Sequence, residues 1–186
     1  MNGFCKIVLI LDKENEQPPR EIISKNKQIF WVEAETRWNI VNHDKIFRFF
    51  LFEVLQAKPK YTEEECEEML KKCLYSTAVG TEKLFENNWV RVWDFYFPPG
   101  EGDPKNVHQH TLDYIFTFVG KFPQILIGYN PDGSIQFTGE DTEGNVCWTP
   151  ITNGGFESDG SPTTEACHSA RNPSSLPYNE CLVELK

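Results

Sequence analysis

The amino-acid sequence predicts a mostly β protein, a sandwich or a barrel, with one α-helix. From residue 88 onward, seven short runs rich in β-branched and aromatic residues follow one another at nearly regular spacing. Segments rich in glycine, proline, asparagine and aspartate, which favour turns, separate these runs. The chain also contains 14 Phe, 6 Tyr and 5 Trp, and such side chains fit the half-buried surface of a sheet.

The N-terminal third is predicted to contain three strands, residues 6–11, 28–35 and 45–55, joined by polar connections. Pro18-Pro19 lies in a highly charged stretch that is typical of an exposed loop. We expect residues 1–60 to form a β extension packed on the barrel, because a segment of this length makes a marginal core alone. An independent small domain is the alternative. The apolar run 45–55 would close one end of the barrel or form the interface of a homodimer.

Residues 61–83 are predicted to form a helix and a linker. Thr62 is followed three residues later by Glu65, the arrangement of a capping box at a helix N-terminus. Glutamates fill the early turns, whereas Lys71 and Lys72 occupy the late ones, which matches the helix dipole. The glutamate cluster therefore indicates a solvated helix face rather than a metal site.

The C-terminal region, residues 84–186, is predicted to form the barrel. Its expected strands span residues 89–97, 113–120, 124–129, 134–137, 145–150, 164–170 and 178–186. Each run is short and is bounded by turn-forming residues, as in an antiparallel β domain.

Charge and cysteine usage exclude several classes of protein. The formal net charge is -10 and no stripe of lysine or arginine occurs, which disfavours nucleic acids and anionic membranes as partners. The longest apolar run is too short to span a bilayer, and the N-terminus lacks the pattern of a secretory signal. The 6 cysteines are irregularly spaced and include no CxxC pair, so we expect free thiols and a cytoplasmic location.

Two histidines, His108 and His110, stand one residue apart directly before an apolar strand. On a strand, side chains at i and i+2 point to the same face about 7 Å apart, so both rings can converge on one ion. His168 is the third histidine of the C-terminal region. Three neutral imidazoles with an oxygen ligand suit Fe(II), Mn, Ni or Zn, so we expect one divalent metal ion.

The surroundings of these histidines resemble the cupin superfamily. Gly102, His108-x-His110, an acidic residue and Gly120 have the spacing of the first cupin motif, and His168 with Asn172 matches the end of the second. The resemblance covers about residues 84–186 and implies a double-stranded β-helix, or jelly-roll, barrel that holds a metal near its mouth. Carried over from the family, the ligands would be His108, His110, Asp113 and His168.

The first motif departs from the family pattern at its acidic ligand. Cupins have a glutamate four or five residues after the second histidine, whereas Asp113 follows His110 by three. An odd offset places Asp113 on the opposite face of a regular strand, so it needs a bulge to reach a metal. Otherwise the site consists of three histidines and water, with Tyr114 as a hydroxyl donor. The family's Pro-x-Gly before the third histidine is also replaced, by Thr163 and Glu165.

Strand alternation predicts further residues of a small-molecule pocket. Phe116 and Phe118 share a face with Tyr114, and Asn172 shares one with His168. Arg91 either points inward, where it would bind a substrate carboxylate with two hydrogen bonds, or lies on the outer face of the barrel.

Two functions are compatible with these features. The first is a metal-dependent enzyme that acts on a small organic acid, with Fe(II)-dependent oxygenation ahead of lyase or isomerase chemistry. Lyase or isomerase chemistry would use Tyr114 or Asp113 as the catalytic base. The second is a non-catalytic barrel that binds a small ligand or serves as a structural partner.

Overall fold

The computed structural model describes residues 7–8, 29–30, 50–52, 54, 58–120, 123–142 and 144–186. The chain divides into two compact units, Met1–Gln56 and Ala57–Lys186. In the first unit, strands β1 (Ile7–Val8), β2 (Ile29–Phe30) and β3 (Phe50–Leu51) form a parallel sheet in the order β2-β1-β3. Most of the apolar run 45–55 lies outside the described residues. The packing of residues 1–60 on the barrel therefore stays a prediction, as does a homodimer.

Helix α1 (Glu63–Lys72) begins at the predicted capping box. The backbone N–H of Glu65 donates to Thr62 Oγ1 at 3.2 Å, and the N–H of Thr62 donates to Glu65 Oε2 at 2.8 Å. Its residues are mostly exposed, with Cys66 as the buried one. The prediction of a solvated, dipole-matched helix is confirmed. Within the part of the chain that the structure describes, no helix is long and apolar enough to cross a membrane.

The second unit contains two antiparallel sheets. The first comprises β4 (Glu82–Glu86), β5 (Val90–Phe97), β7 (Asp113–Phe118), β10 (Val146–Thr149) and β12 (Tyr178–Leu185). Its order is β10-β7-β12-β5-β4, so β12 lies at the centre and pairs with both β5 and β7. The second comprises β6 (His108–Gln109), β8 (Gln124–Tyr129), β9 (Ile135–Asp141) and β11 (Cys167–Arg171), in the order β6-β11-β8-β9.

The two sheets pack face to face. One buried cluster joins Phe95, Phe118 and Tyr178 of the first sheet to Leu126 and Ala170 of the second. Interdigitated side chains from two inner faces are what hold a β sandwich or barrel together. The predicted fold class, a mostly β jelly-roll barrel, is confirmed, with one α-helix among the described residues. Strands β4 and β6 were not predicted from the sequence.

Short segments around β6 fix the backbone on which His108 and His110 stand. The N–H of Gln109 donates to the carbonyl of Ser76, just after α1, and the N–H of His110 donates to the carbonyl of Ala166. Gly155, in a short 3-10 turn, has φ +82, and a Cβ there would lie 2.4 Å from the His110 carbonyl oxygen. Only glycine fits that close approach in this conformation.

Candidate metal centre

Three histidines converge on one point of the barrel interior. Strand register places His168 of β11 directly opposite His108 of β6, and His110 follows one residue beyond β6. One ring nitrogen from each of the three lies within 4.8 Å of the others. The two segments that resemble cupin motifs therefore meet in space, as the sequence predicts.

The nitrogen spacing fits a metal ion. Nε2 of His108 and Nε2 of His110 are 3.2 Å apart. Two ligands at about 2.1 Å from one ion, at an angle of about 100°, have that separation. The side chain of His110 is 1% exposed, and its Nδ1 has no hydrogen-bond partner among the residues that the structure describes. The donor set is therefore suited to Fe(II), Mn, Ni or Zn.

The histidines are held in the neutral form that binds metals. Burial, followed by the mutual influence of the imidazoles, lowers the pKa of His108 and of His110 well below the usual value. Burial alone lowers the pKa of His168 to about 4. Since a protonated imidazole has no free lone pair for a metal, near neutral pH the cluster needs no deprotonation before it binds one.

The structure does not bring Asp113 to the histidines. One carboxylate oxygen accepts the backbone N–H of Ile151 at 2.6 Å, and the other pairs with Lys60 Nζ at 2.9 Å. The odd offset from His110 places this side chain on the other face of the strand, where both oxygens are already engaged. The three-histidine alternative, with water or substrate as the oxygen ligand, is the one that fits.

Tyr114, Phe116 and Phe118 line a cavity of about 420 Å³ beside the histidines. The Tyr114 ring stacks on His110 with centroids 4.2 Å apart. Burial raises the pKa of Tyr114 to about 12. All three residues therefore lie where strand alternation predicts, on the cavity wall.

Arg91 and Asn172 were predicted as pocket residues, but neither lines this cavity. Arg91 is 7% exposed, and its guanidinium group donates to Glu86 at 2.9 Å and to Glu184 at 3.2 Å. Asn172 donates from Nδ2 to the carbonyl oxygens of Phe97, Pro98 and Leu176. Both side chains are occupied by contacts that hold the fold.

The cavity contains residues that the sequence did not single out, chiefly Glu180 and Tyr178 of β12 and Asp141 of β9. Glu180 is 6% exposed and accepts a hydrogen bond of 2.6 Å from the Tyr178 hydroxyl. Burial, together with the charge of Asp141, raises the pKa of Glu180 to about 8. The only signal in the sequence was alternation, which places Tyr178, Glu180 and Leu182 on one face of the strand.

The strand order defines the architecture. The fold is a double-stranded β-helix, or jelly roll. No family model and no curated protein matches this chain. Among solved structures, it is similar to a cupin domain from Bordetella pertussis Tohama I, with 24% identity over 61% of this chain and 98% of that one, at a TM-score of 0.42.

Two further solved structures illustrate the range of similar proteins. One is an RmlC-like cupin family protein with a double-stranded β-helix fold from Methanocaldococcus jannaschii, with 17% identity over 56% of this chain and 76% of that one, at a TM-score of 0.37. The other is the DMSP lyase DddQ from Ruegeria pomeroyi DSS-3, with 13% identity over 54% of this chain and 40% of that one, at a TM-score of 0.35. The chemistry of this chain therefore has to follow from its own residues.

Proposed function

We propose that the protein is a metal-dependent enzyme that acts on a small organic acid in the cavity beside His108, His110 and His168. The observation that carries this proposal is the group of three imidazole nitrogens within 4.8 Å of one another. Three protein ligands leave coordination positions for water or substrate, which is the arrangement of catalytic rather than structural metal sites.

Fe(II)-dependent oxygenation is the reaction that we place first. His108, His110 and His168 would hold Fe(II), which would supply dioxygen chemistry at its open coordination positions. The residues of this chain would position the substrate, since Phe116, Phe118 and Leu126 form an apolar part of the cavity wall. We expect the iron-loaded protein to consume dioxygen with a member of a panel of small carboxylic acids. Absence of consumption with every acid would oppose oxygenation.

Lyase or isomerase chemistry is the second candidate, and Glu180 favours it. With a pKa of about 8, this buried carboxyl group can donate or accept a proton near neutral pH. Asp113, which the sequence offered as a base, does not line the cavity. Tyr114 does line it and stays a candidate for a proton-transfer role.

Metal content is the measurement that tests the proposal. We would express the protein without a histidine tag and compare the parent with the variant His108→Ala/His110→Ala by elemental mass spectrometry. We expect about one metal ion per chain in the parent and less than about one tenth of that in the variant, because two of three ligands are lost. The variant His43→Ala is the matched control, since His43 stands outside both motifs.

A parent that takes up no iron, manganese, nickel or zinc would overturn the metal-dependent function. Retention of metal by the double variant would overturn the assigned ligands. A bound metal with no exchangeable water would instead support the non-catalytic alternative, because closed coordination is typical of structural sites. A cytoplasmic location and a small-molecule partner belong to the same proposal, supported by the cysteine spacing and the negative charge of the chain.

A further inference from the structure

We propose that the end of the cavity formed by Glu180, Tyr178 and Asp141 binds a protonated amine. The substrate would then be a small organic acid that carries an ammonium group at the end away from the histidines. The position of its acid end rests on the proposed function, whereas the amine site is argued from the cavity wall alone.

Apart from histidines and tyrosines, the ionisable side chains that line the cavity are all carboxylic acids. Among the described lining residues, Asp141, Glu165 and Glu180 are acidic, and none is lysine or arginine. Glu165 is exposed, whereas Glu180 is buried in the wall. An anionic group at this end would have no cation to pair with, whereas an ammonium group would find carboxylates.

Glu180 lacks the partners that a buried carboxylate receives when its role is structural. Glu184, on the same face of the same strand, accepts from the Arg91 guanidinium at 3.2 Å and from Trp93 Nε1 at 2.8 Å. Glu180 accepts one hydrogen bond, from Tyr178, and pairs with no cation among the described residues. Since burial of an unpaired carboxylate is costly, a cation from outside the chain is the partner that this position lacks.

Aromatic rings surround the same end of the cavity. The Phe95 and Phe118 rings lie 5.9 Å and 6.0 Å from the Tyr178 ring, measured between centroids. Aromatic faces attract cations through the ring quadrupole, most strongly where water is excluded. The Phe95 ring also lies 6.4 Å from the His108 ring, so the amine end and the histidine end belong to one continuous wall.

The environment of Glu180 is consistent with this role. The titratable groups that shift the pKa of Glu180 are Tyr178 on its own strand and Asp141 of β9. The charge of Glu180 in turn raises the pKa of the Cys147 thiol of β10. The flanking strands β5 and β7 present Phe95 and Phe118 opposite it. In the absence of a ligand, burial raises its pKa to about 8. A bound ammonium group would offset that effect and hold the carboxylate ionised.

Matched pairs of ligands test the proposal in the zinc-loaded protein. The probes are 3-aminopropanoate, 4-aminobutanoate and 5-aminopentanoate, each compared by calorimetry with the alkanoate in which a methyl group replaces the ammonium group. We expect at least one amino acid to bind about tenfold more tightly than its alkanoate, a difference of about 1.4 kcal/mol. In Glu180→Gln that preference is expected to vanish, while Glu157→Gln, which removes an exposed charge elsewhere, keeps it.

Three results would overturn the amine site: equal or tighter binding of all three alkanoates, an unchanged preference in Glu180→Gln, or no binding of any amino acid. Asp141→Asn is a second variant, expected to reduce the preference without abolishing it, because Asp141 is only partly buried. Glutamine can still accept the Tyr178 hydrogen bond, so Glu180→Gln is expected to fold.

Butylammonium and 1-butanol, titrated into the metal-free protein, separate this proposal from the proposed function. Binding of butylammonium that depends on Glu180, in a protein that takes up no metal, would leave the amine site standing while the metal-dependent function fails. A metal-loaded protein that binds alkanoates but not butylammonium would overturn the amine site and leave the metal-dependent function standing.

Discussion

At the scale of single residues, two buried glutamates of one strand have opposite surroundings. Glu184 lies with Arg91 and Trp93 in a satisfied network, and Glu180 lies in the cavity with one tyrosine. Arg91 also pairs with Glu86, which itself accepts from Lys186 at 2.7 Å. The guanidinium group is therefore a structural cation rather than a substrate ligand.

Replacement of Arg91 tests that assignment. Arg91→Met is expected to lower the free energy of unfolding by about 3 to 5 kcal/mol, because it leaves the Glu184 carboxyl group buried without its cation. The double variant Arg91→Met/Glu184→Leu should recover most of the loss, measured by urea denaturation. Lys83→Met, which breaks an exposed pair with Glu86, is the control, with an expected cost below about 1 kcal/mol. A loss of ligand affinity without a loss of stability would show instead that Arg91 binds the substrate.

At the scale of elements, the antiparallel strands β8 and β9 contribute to the cavity wall, and Phe137 of β9 lies opposite Gly128 of β8. A Cβ at Gly128 would meet three ring carbons of Phe137 at 2.2 to 2.6 Å. The Phe137 ring thus lies directly on the β8 backbone, and its centroid is 5.9 Å from that of His168. The missing side chain of Gly128 is what lets this ring reach the histidine cluster.

Gly128→Ala is expected to lower the free energy of unfolding by about 1 to 3 kcal/mol, because the added methyl group overpacks against the ring. In the Phe137→Ala background, Gly128→Ala should lower the free energy of unfolding much less. The double variant is then more stable than the sum of the two single effects predicts, which a double-mutant cycle by urea denaturation measures. Gly139→Ala is the control on β9, since a Cβ there meets its nearest atom at 3.5 Å. Equal costs in both backgrounds would refute the contact.

Most elements of the barrel were predictable because their runs of β-branched and aromatic residues are long enough to recognise. β6 has only two residues and β4 reads "EKLFE", so neither shows a strand pattern on its own. The three histidines were predicted from spacing and family resemblance. Glu180 was not, because both faces of β12 are buried and alternation does not say which face borders a cavity. The roles of Asp113 and Arg91 could not be predicted, because they depend on partners that are distant in sequence. Asp113 pairs with Lys60, and Arg91 pairs with Glu184.

At the scale of the whole molecule, ionisable groups in the barrel interior make its stability depend on pH. The pKa of Glu180 is about 8 in the folded protein and near 4.5 when the side chain is exposed. A raised pKa of an acid means that the folded state prefers the protonated form. This contribution to stability is fully present below about pH 4.5 and is lost as the pH rises through about 8.

Glu180→Gln removes this dependence, since glutamine does not titrate. In metal-free protein, we expect the variant to gain stability relative to the parent steadily from about pH 5 to about pH 9. Urea denaturation across that range measures the difference, and the histidines, common to both proteins, cancel from it. A difference that does not change with pH would show that Glu180 titrates as an exposed carboxyl group does.

Strand order in the first sheet has a consequence for synthesis on the ribosome. β5 and β7 are not neighbours, because β12 lies between them and pairs with both. Translation therefore delivers two apolar strands well before the strand that joins them, and the nascent chain must keep their edges from pairing wrongly. Since β12 also carries Glu180 and Tyr178, that wall of the cavity is incomplete until β12 joins the sheet.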